Sequence, residues 1–312
     1  MPMTSSFEIS STKSSTGANL CLYQMNAGKR AKGVVHINHG MAEHGARYAR
    51  FASALTNAGY HVIAHDHRGH GKTTAPDAPL GVFSNRDGLD KAIADILHVN
   101  QLANAKHSGL PVIFFGHSMG TILGLNYCLK HPDTIQAATL WNAGFDTGLL
   151  AIVYKTLLKI ERAFKGSDVP SAIAQKLTFE DWNKKFAPTR TDFDWLSRDK
   201  NEVDKYVADP LCGFPVSIGL WLGVLEAVYF GADEKNLTAL PKDMPFHLQA
   251  GANDPCTNKG AAVEKLAARL KSAGLTNINL NILAETRHES LNEINRDEIT
   301  SAYILWLDKQ FG

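Results

Sequence analysis

The sequence predicts an α/β protein whose mostly parallel central sheet carries helices on both faces and is interrupted by a helical insertion. Two observations predict this class. Short apolar runs rich in β-branched residues alternate with segments of helical periodicity, and the alternation lapses once, between about residues 145 and 240, before it resumes. Continuous apolar strands that alternate with helices are typical of parallel sheets buried on both faces.

The predicted strands are short apolar runs. In chain order they are GVVHINH (33–39), YHVIAHD (60–66), PVIFFGH (111–117), IQAATLW (135–141), MPFHLQAG (244–251) and NINLNILA (277–284). Helical spacing of apolar residues predicts helices at 48–58, 92–106, 118–130 and 261–271, and a last helix that buries Leu291, Ile294, Ile299, Ala302, Tyr303 and Trp306. Residues 1–144 and 241–312 are therefore expected to form the sheet-containing core. The aromatic-rich residues 145–240 are expected to form a helical cap.

Composition excludes several classes of protein. The chain has 312 residues, a formal net charge of +1 and no run of like charges, so neither a nucleic-acid interface nor a polybasic membrane patch is predicted. The first twenty residues lack the basic and apolar regions of a secretion signal, and the cysteines are far apart: Cys21, Cys128, Cys212 and Cys256. No disulfide framework or zinc site is expected, and a cytoplasmic location is predicted.

The two longest apolar stretches lie in the predicted cap, at 149–160 and 216–230. Both are shorter than the ~20 apolar residues that span a bilayer or are broken by polar groups. Three interpretations stay open for them: ordinary core packing, the lining of an acyl pocket, and transient contact with a membrane surface.

GHSMG, residues 116–120, is the segment that indicates chemistry. A GxSxG pattern is weak evidence by itself, but here it follows a predicted buried strand and begins a predicted helix. In that setting a tight strand-to-helix turn lifts the hydroxyl of Ser118 out of the sheet. The helix N-terminus then favours developing negative charge, and the Met119 backbone N–H points towards a substrate oxygen.

A serine nucleophile needs a histidine base and a carboxylate that orients the histidine. His288 follows the last predicted strand, and Asp254 follows the strand before it. Functional loops collect at the carboxyl edge of such a sheet, so these two residues are the expected base and acid. Asp146, after the strand at 135–141, is the alternative acid.

The loop HGMAEH, residues 39–44, follows the strand at 33–39 and is expected to present the Met41 backbone N–H as a second oxyanion donor. His39, Glu43 and His44 are expected to shape this loop. The histidine-rich segment HDHRGHG, residues 65–71, is expected to be a hydrogen-bonded structural loop rather than a metal site.

The residues resemble the α/β-hydrolases of the monoacylglycerol lipase and lysophospholipase type, which are grouped with serine aminopeptidase-like hydrolases. Six segments carry the resemblance in order: HGMAEHGARY (39–48), HDHRGHG (65–71), GHSMG (116–120), DPLCGF (209–214), GANDP (251–255) and RHESLNE (287–293). The resemblance implies a triad of Ser118, Asp254 and His288, with oxyanion N–H groups on Met41 and Met119. It also implies a helical cap over an acyl pocket and no cofactor. Thr121 departs from the family pattern, which usually has glycine at this position.

The sequence therefore predicts a serine hydrolase that cleaves carboxylic esters of monoacylglycerol or lysophospholipid type through an acyl-enzyme. Two alternatives stay open. An aminopeptidase-like enzyme needs an acidic group for the substrate amine, which Glu202 or Asp204 could supply. A non-catalytic binding protein of the same fold has no need of the three triad residues, all of which this chain carries.

Overall fold

The centre of the protein is one sheet of eight strands, seen in a computed structural model that describes residues 6–28 and 30–312. The strands are Glu8–Lys13 (β1), Asn19–Met25 (β2), Gly33–Asn38 (β3), Tyr60–His65 (β4), Val112–His117 (β5), Ala137–Trp141 (β6), Phe246–Gly251 (β7) and Ile278–Leu283 (β8). Their order across the sheet is β1-β2-β4-β3-β5-β6-β7-β8. Strands β3 to β8 are parallel, and β1 and β2 add antiparallel strands at one edge.

Helices cover both faces of the sheet. They are Ala49–Asn57 (α1), Gly88–Lys106 (α2), Met119–Lys130 (α3), Leu149–Lys165 (α4), Ala172–Gln175 (α5), Asp181–Lys184 (α6), Lys200–Ala208 (α7), Ile218–Ala232 (α8), Glu234–Leu237 (α9), Ala261–Ser272 (α10) and Arg296–Phe311 (α11). Single turns of 3-10 helix occur at Gly45–Tyr48, Pro132–Thr134 and Ser290–Asn292, and a π-helical turn occurs at Lys176–Glu180.

Alternate residues of each central strand enter two separate apolar cores. On β5, Ile113 and Phe115 join a core with helices α1 and α11, whereas Val112 and Phe114 join a larger core with α2, α3, α8 and α10. Side chains alternate across a strand with a period of two, so a fully apolar strand serves both faces. The predicted α/β-hydrolase class, with its mostly parallel sheet covered on both sides, is confirmed.

Two local expectations differ from the structure. No strand is predicted before Gly33, whereas the structure has β1 and β2 there. The Ser/Thr-rich residues of β1 lie exposed at the sheet edge and carry no apolar alternation, while β2 is mostly buried. The last helix begins only at Arg296, and both Ile294 and Ala302, which helical spacing placed on its buried face, are exposed. Ile294 precedes the helix, so the helical period does not apply to it.

The segment between β6 and β7 contains helices α4 to α9, and its parts pack in two ways. Helix α8 packs against α2 and α3 and belongs to the larger core. A separate apolar cluster, which includes Trp195, Leu196 and Tyr206, lies over the carboxyl ends of the strands. The division into a core of 1–144 and 241–312 and a cap of 145–240 stays a prediction. Within the described residues, no helix is both long and apolar enough to span a bilayer.

Candidate active site

Ser118 occupies the turn between β5 and α3 with a backbone conformation that residues other than glycine rarely adopt, φ 53° and ψ −118°. Such a conformation costs of order 1–3 kcal/mol and persists only where its surroundings enforce it. The flanking glycines belong to those surroundings. A Cβ on Gly116 would lie 2.5 Å from the Gly120 carbonyl oxygen, and one on Gly120 would lie 2.2 Å from that of Asn38. Any larger residue at either position would push the turn apart.

Thr121 has a clear structural role in the same turn. Its hydroxyl is buried and lies 2.8 Å from the Gly116 carbonyl oxygen and 2.7 Å from the Trp141 carbonyl oxygen, and its single proton is shared between these two acceptors. Glycine at this position could not make either bond. The threonine therefore ties the first turn of α3 to the ends of β5 and β6, beneath Ser118.

His288 lies between Ser118 and Asp254. Its Nε2 atom is 2.9 Å from Ser118 Oγ, and its Nδ1 atom is 3.1 Å from each carboxylate oxygen of Asp254. Both His288 and Asp254 are buried. Burial alone would raise the pKa of Asp254, but the charge and hydrogen bond of His288 hold it below its ordinary value. The three residues are thus arranged for proton transfer from the serine to a histidine that an ionised carboxylate orients.

The position of Asp254 is fixed from two sides. The Cys256 backbone N–H donates to its Oδ1 at 2.9 Å, and the Asn142 side chain donates to its Oδ2 at 3.2 Å. Asn142 in turn accepts a hydrogen bond from Ser290 Oγ at 3.0 Å. Sequence reasoning missed Asn142, although its place directly after β6, at the same sheet edge, was a usable signal.

Asp146, the alternative acid, is not brought to the site. It accepts a hydrogen bond from Lys265 Nζ at 3.0 Å, and 49% of its side chain is exposed. The aspartate that contacts His288 is therefore Asp254.

The two expected oxyanion donors belong to residues close to Ser118. Met119 is the first residue of α3, where the N–H has no partner within the helix. The loop that carries Met41 runs against the serine, since a Cβ built on Gly40 would be 3.3 Å from Ser118 Cβ. Gly40 and Met41 both line the cavity that contains Ser118.

A buried ionic network supports the loop that carries Met41. Glu43 accepts from the Gly40 N–H at 2.6 Å and from Arg47 at 2.5 Å, and Arg47 also forms a bidentate pair with Glu289 at 2.6 and 2.8 Å. His117 lies 3.3 Å from Glu43 and 3.1 Å from the His288 carbonyl oxygen. The network joins the loop directly to the backbone of the expected base.

Opposite charges in this network shift the pKa values of its members. Burial alone would lower the pKa of His117, but its hydrogen bond to Glu43 and the charge of Glu43 raise the pKa above its ordinary value. Burial would raise the pKa of Glu43, which the Arg47 guanidinium holds well below its ordinary value. Sequence reasoning expected Glu43 to shape the loop but did not find Arg47 or Glu289. Their pairing depends on a contact between residues 242 positions apart.

Comparison with known proteins decides the family. The family described as serine aminopeptidase, S33, matches residues 29–295. The chain belongs to this family. Human monoglyceride lipase is 31% identical over 236 residues, which cover 74% of this chain and 68% of that protein. The monoglyceride lipase of Rattus norvegicus is 30% identical over 245 residues, covering 77% and 71%. The resemblance indicated by the six motifs is confirmed.

A solved structure resembles this chain over nearly its whole length. A thermostable carboxyl esterase from Bacillus coagulans superposes with a TM-score of 0.88 and covers 97% of this chain and 98% of its own, at 23% sequence identity. At that identity the likeness establishes the fold.

The histidine-rich loop of this S33-family member packs beneath the loop that carries Met41. His39 Nδ1 lies 2.7 Å from the Gly40 carbonyl oxygen, and His39 Nε2 accepts from the His67 backbone N–H at 2.9 Å. The rings of His39, His67 and His70 lie within 4.4 to 6.5 Å of one another. Burial lowers the pKa of His39 to about 3 and that of His70 to about 4, so both are neutral at pH 7.

Among the residues described, two groups of side chains lie close enough together to offer three metal ligands each. They are His44, Asp209 and Cys212, and Asp254, Cys256 and His288. Burial raises the pKa of both cysteine thiols above the ordinary value, which disfavours the thiolate that binds metals. We assign no metal to either group.

A cavity opens beside Ser118. Five of its twelve lining residues are apolar or aromatic residues of the segment between β6 and β7: Phe179, Phe193, Trp195, Leu196 and Tyr206. The polar part of the lining comes from the expected catalytic residues Ser118 and His288 and from Glu43, His117 and Glu289 of the ionic network. Tyr206 donates its hydroxyl to the Ala42 carbonyl oxygen at 2.8 Å, and the Leu196 carbonyl accepts from the Glu289 N–H at 2.7 Å. These contacts join the cavity roof to the loops on both sides of the serine.

Proposed function

We propose that this chain is a serine hydrolase that cleaves carboxylic esters of monoacylglycerol or lysophospholipid type through an acyl-enzyme. One observation carries the proposal: His288 bridges Ser118 and the buried carboxylate of Asp254 by hydrogen bonds at both ring nitrogens. Two relatives that match over more than two thirds of their own length, from human and rat, are named monoglyceride lipases. The aromatic and apolar lining of the cavity also suits an acyl chain.

In the first half-reaction Ser118 Oγ attacks the ester carbonyl carbon while His288 Nε2 takes the serine proton. The Met41 and Met119 N–H groups stabilise the oxyanion, and each such donor is worth about 10²- to 10³-fold in rate. Cleavage of the carbon–oxygen bond then leaves an acyl group on Ser118. The proton held by His288 passes to the departing alcohol.

In the second half-reaction water attacks the acyl carbon and gives a proton to His288. Collapse of the second tetrahedral intermediate returns that proton to Ser118 Oγ and releases the fatty acid. Asp254 stays ionised throughout and holds His288 in the orientation that accepts a proton at Nε2.

Residues 145–240 act as a cap over the acyl pocket in this proposal, and part of that cap contacts the membrane surface where lipid substrates lie. Helix α4 supports the membrane contact, since it exposes several large apolar side chains: Leu149, Leu150, Ile152, Val153, Ile160 and Phe164. Lys159 and Arg162 are exposed on the same helix. An apolar face with adjacent cations suits an anionic lipid surface. A cytoplasmic location remains a prediction.

Peptide hydrolysis is less well supported. Glu202 and Asp204, the acids that could hold a substrate amine, are not among the residues that line the cavity beside Ser118. Glu202 pairs with Lys205 at 2.8 Å, and Asp204 pairs with Arg190 at 2.5 Å. Neither carboxylate is placed to bind an α-amine next to the nucleophile. The two acids that do line the cavity, Glu43 and Glu289, are both paired with Arg47.

Hydrolysis of a defined substrate panel tests the proposal. We expect measurable kcat/KM on monoacylglycerols or lysophospholipids and on p-nitrophenyl esters, with little turnover of aminoacyl p-nitroanilides. A series of acyl lengths on one glycerol headgroup would also report the depth of the pocket. Faster turnover of the aminoacyl amides than of every ester would contradict ester hydrolysis.

A further inference from the structure

Trp195 is held rigidly against the expected base. Its ring lies 4.7 Å from the His288 ring, centroid to centroid, and only 4% of the residue is exposed. Phe179 stacks on it at 5.7 Å and Trp182 packs on it at 4.9 Å, while its backbone N–H donates to Asn183 Oδ1 at 3.1 Å. The indole lines the same cavity as Ser118.

The indole N–H of Trp195 is buried and has no hydrogen-bond acceptor anywhere in residues 6–28 or 30–312. Trp141, deep in the core, shows the usual arrangement, since its indole N–H donates to His247 Nδ1 at 2.9 Å. A buried donor without an acceptor costs about 1–3 kcal/mol, so such groups call for an explanation. An indole nitrogen can only donate, so its partner has to be an acceptor. Because Trp195 lines the cavity beside Ser118, a substrate that enters this cavity can bring that acceptor.

The position of Trp195 indicates which part of a substrate brings that acceptor. In the proposed reaction His288 Nε2 protonates the departing alcohol, so the space bordered by His288 holds the alcohol part of the ester. A ring packed on His288 borders the same space. An oxygen on the alcohol part, close to the ester bond, is thus within the region that the indole borders.

We propose that Trp195 determines specificity for the alcohol part, by donating its indole N–H to a free hydroxyl oxygen of a polyol ester such as a glycerol ester. This inference rests on the proposed ester hydrolysis and adds a residue that selects the substrate. A hydrogen bond that is present with one substrate and absent with another discriminates because the unmatched donor stays buried and unpaired.

The test compares two esters with the same acyl group, glyceryl butyrate and n-propyl butyrate, which differ only in the two hydroxyls. For the wild type we expect kcat/KM to be about threefold to tenfold higher on the glyceryl ester, the range of one ordinary hydrogen bond. Trp195→Phe keeps an aromatic ring but removes the donor, and should bring this ratio close to one.

Trp182→Phe is the matched control, because it makes the same change in the neighbouring tryptophan that does not line the cavity. It should leave the glyceryl-to-propyl ratio at the wild-type value. An unchanged ratio in Trp195→Phe would overturn the proposal. So would equal kcat/KM on the two esters in the wild type, a measurement that needs no variant. If the wild type hydrolyses neither butyrate, the glyceryl and propyl esters of the acyl length that it prefers are compared instead, and hydrolysis of no ester at any acyl length would contradict the proposed function itself.

Discussion

Asp254 and Asp146 both follow strands of the same sheet, and only burial and contact distinguish them. Asp254 is buried and bonds to His288, Asn142 and the Cys256 N–H, whereas Asp146 pairs with Lys265 at the surface. The expectation that functional residues follow the carboxyl ends of the strands selects both residues from the sequence. It could not choose between them, because the choice depends on which loop folds back over Ser118.

Replacement of each aspartate by asparagine separates their roles. Asp254→Asn should lower kcat on a p-nitrophenyl ester by about 10⁴-fold, because an amide no longer stabilises the imidazolium or the productive tautomer of His288. Asp146→Asn is the matched control and should stay within about twofold of wild type. A larger loss in Asp146→Asn than in Asp254→Asn would contradict the assignment.

Thr121 shows how a residue that departs from a family pattern can be explained only by the structure. Its hydroxyl binds two main-chain carbonyls that come from β5 and β6. Thr121→Val keeps the shape but removes the donor, and should lower the free energy of unfolding by about 1–3 kcal/mol. Thr121→Ser should keep most of that stability. Urea denaturation of both variants measures the difference, and equal stability of Thr121→Val and wild type would refute this role.

At the scale of elements, the six core strands and the helices between them follow from the sequence because their apolar residues repeat with a clear period. Strand β1 could not be found in this way, since its stability comes from pairing with β2 and not from burial. The sequence could not predict the ionic network either, which consists of Glu43, Arg47, His117 and Glu289. It joins the loop and 3-10 turn after β3, the end of β5 and the loop after β8, which only the folded sheet brings together.

Helix α4 carries the prediction on membrane contact. Leu150 and Phe164 are 85% and 87% exposed, so their replacement by serine removes apolar surface without disturbing packing or net charge. Each side chain buried in a membrane interface contributes about 1 kcal/mol or more, and the double variant should therefore bind anionic vesicles about thirtyfold more weakly. Vesicle co-sedimentation measures this partitioning.

Leu305→Ser provides the matched control, since Leu305 is 61% exposed on α11, a helix of the sheet-containing core. It should bind the vesicles as the wild type does. Equal vesicle binding by the double variant and the wild type would contradict a membrane role for α4.

At the scale of the whole molecule, buried neutral histidines make stability depend on pH. His247 must stay neutral to accept from the Trp141 indole, and His39 must stay neutral to accept from the His67 N–H. Burial lowers the pKa of each of these two residues, and of His36, from 6.5 to about 3. In the unfolded chain these histidines have a pKa of 6.5, so their full contribution to stability is present above pH 6.5.

As pH falls from 6.5 towards 3, the unfolded chain binds protons that the folded chain excludes. Each of these histidines then costs about 1.4 kcal/mol per pH unit. We expect the urea midpoint to drop steeply between pH 6.5 and pH 5. A midpoint that stays constant or rises over that range would show that the buried histidines titrate in the folded protein as they do in the unfolded chain.

The central claim is that Ser118 forms the covalent bond to the acyl group. A fluorophosphonate probe reacts with an activated serine and leaves a stable adduct, whose position peptide mass spectrometry identifies. We predict one adduct per folded chain, on the peptide that contains Ser118, and none after heat denaturation or in Ser118→Ala. An adduct on another residue, or full labelling and ester turnover by Ser118→Ala, would contradict the account.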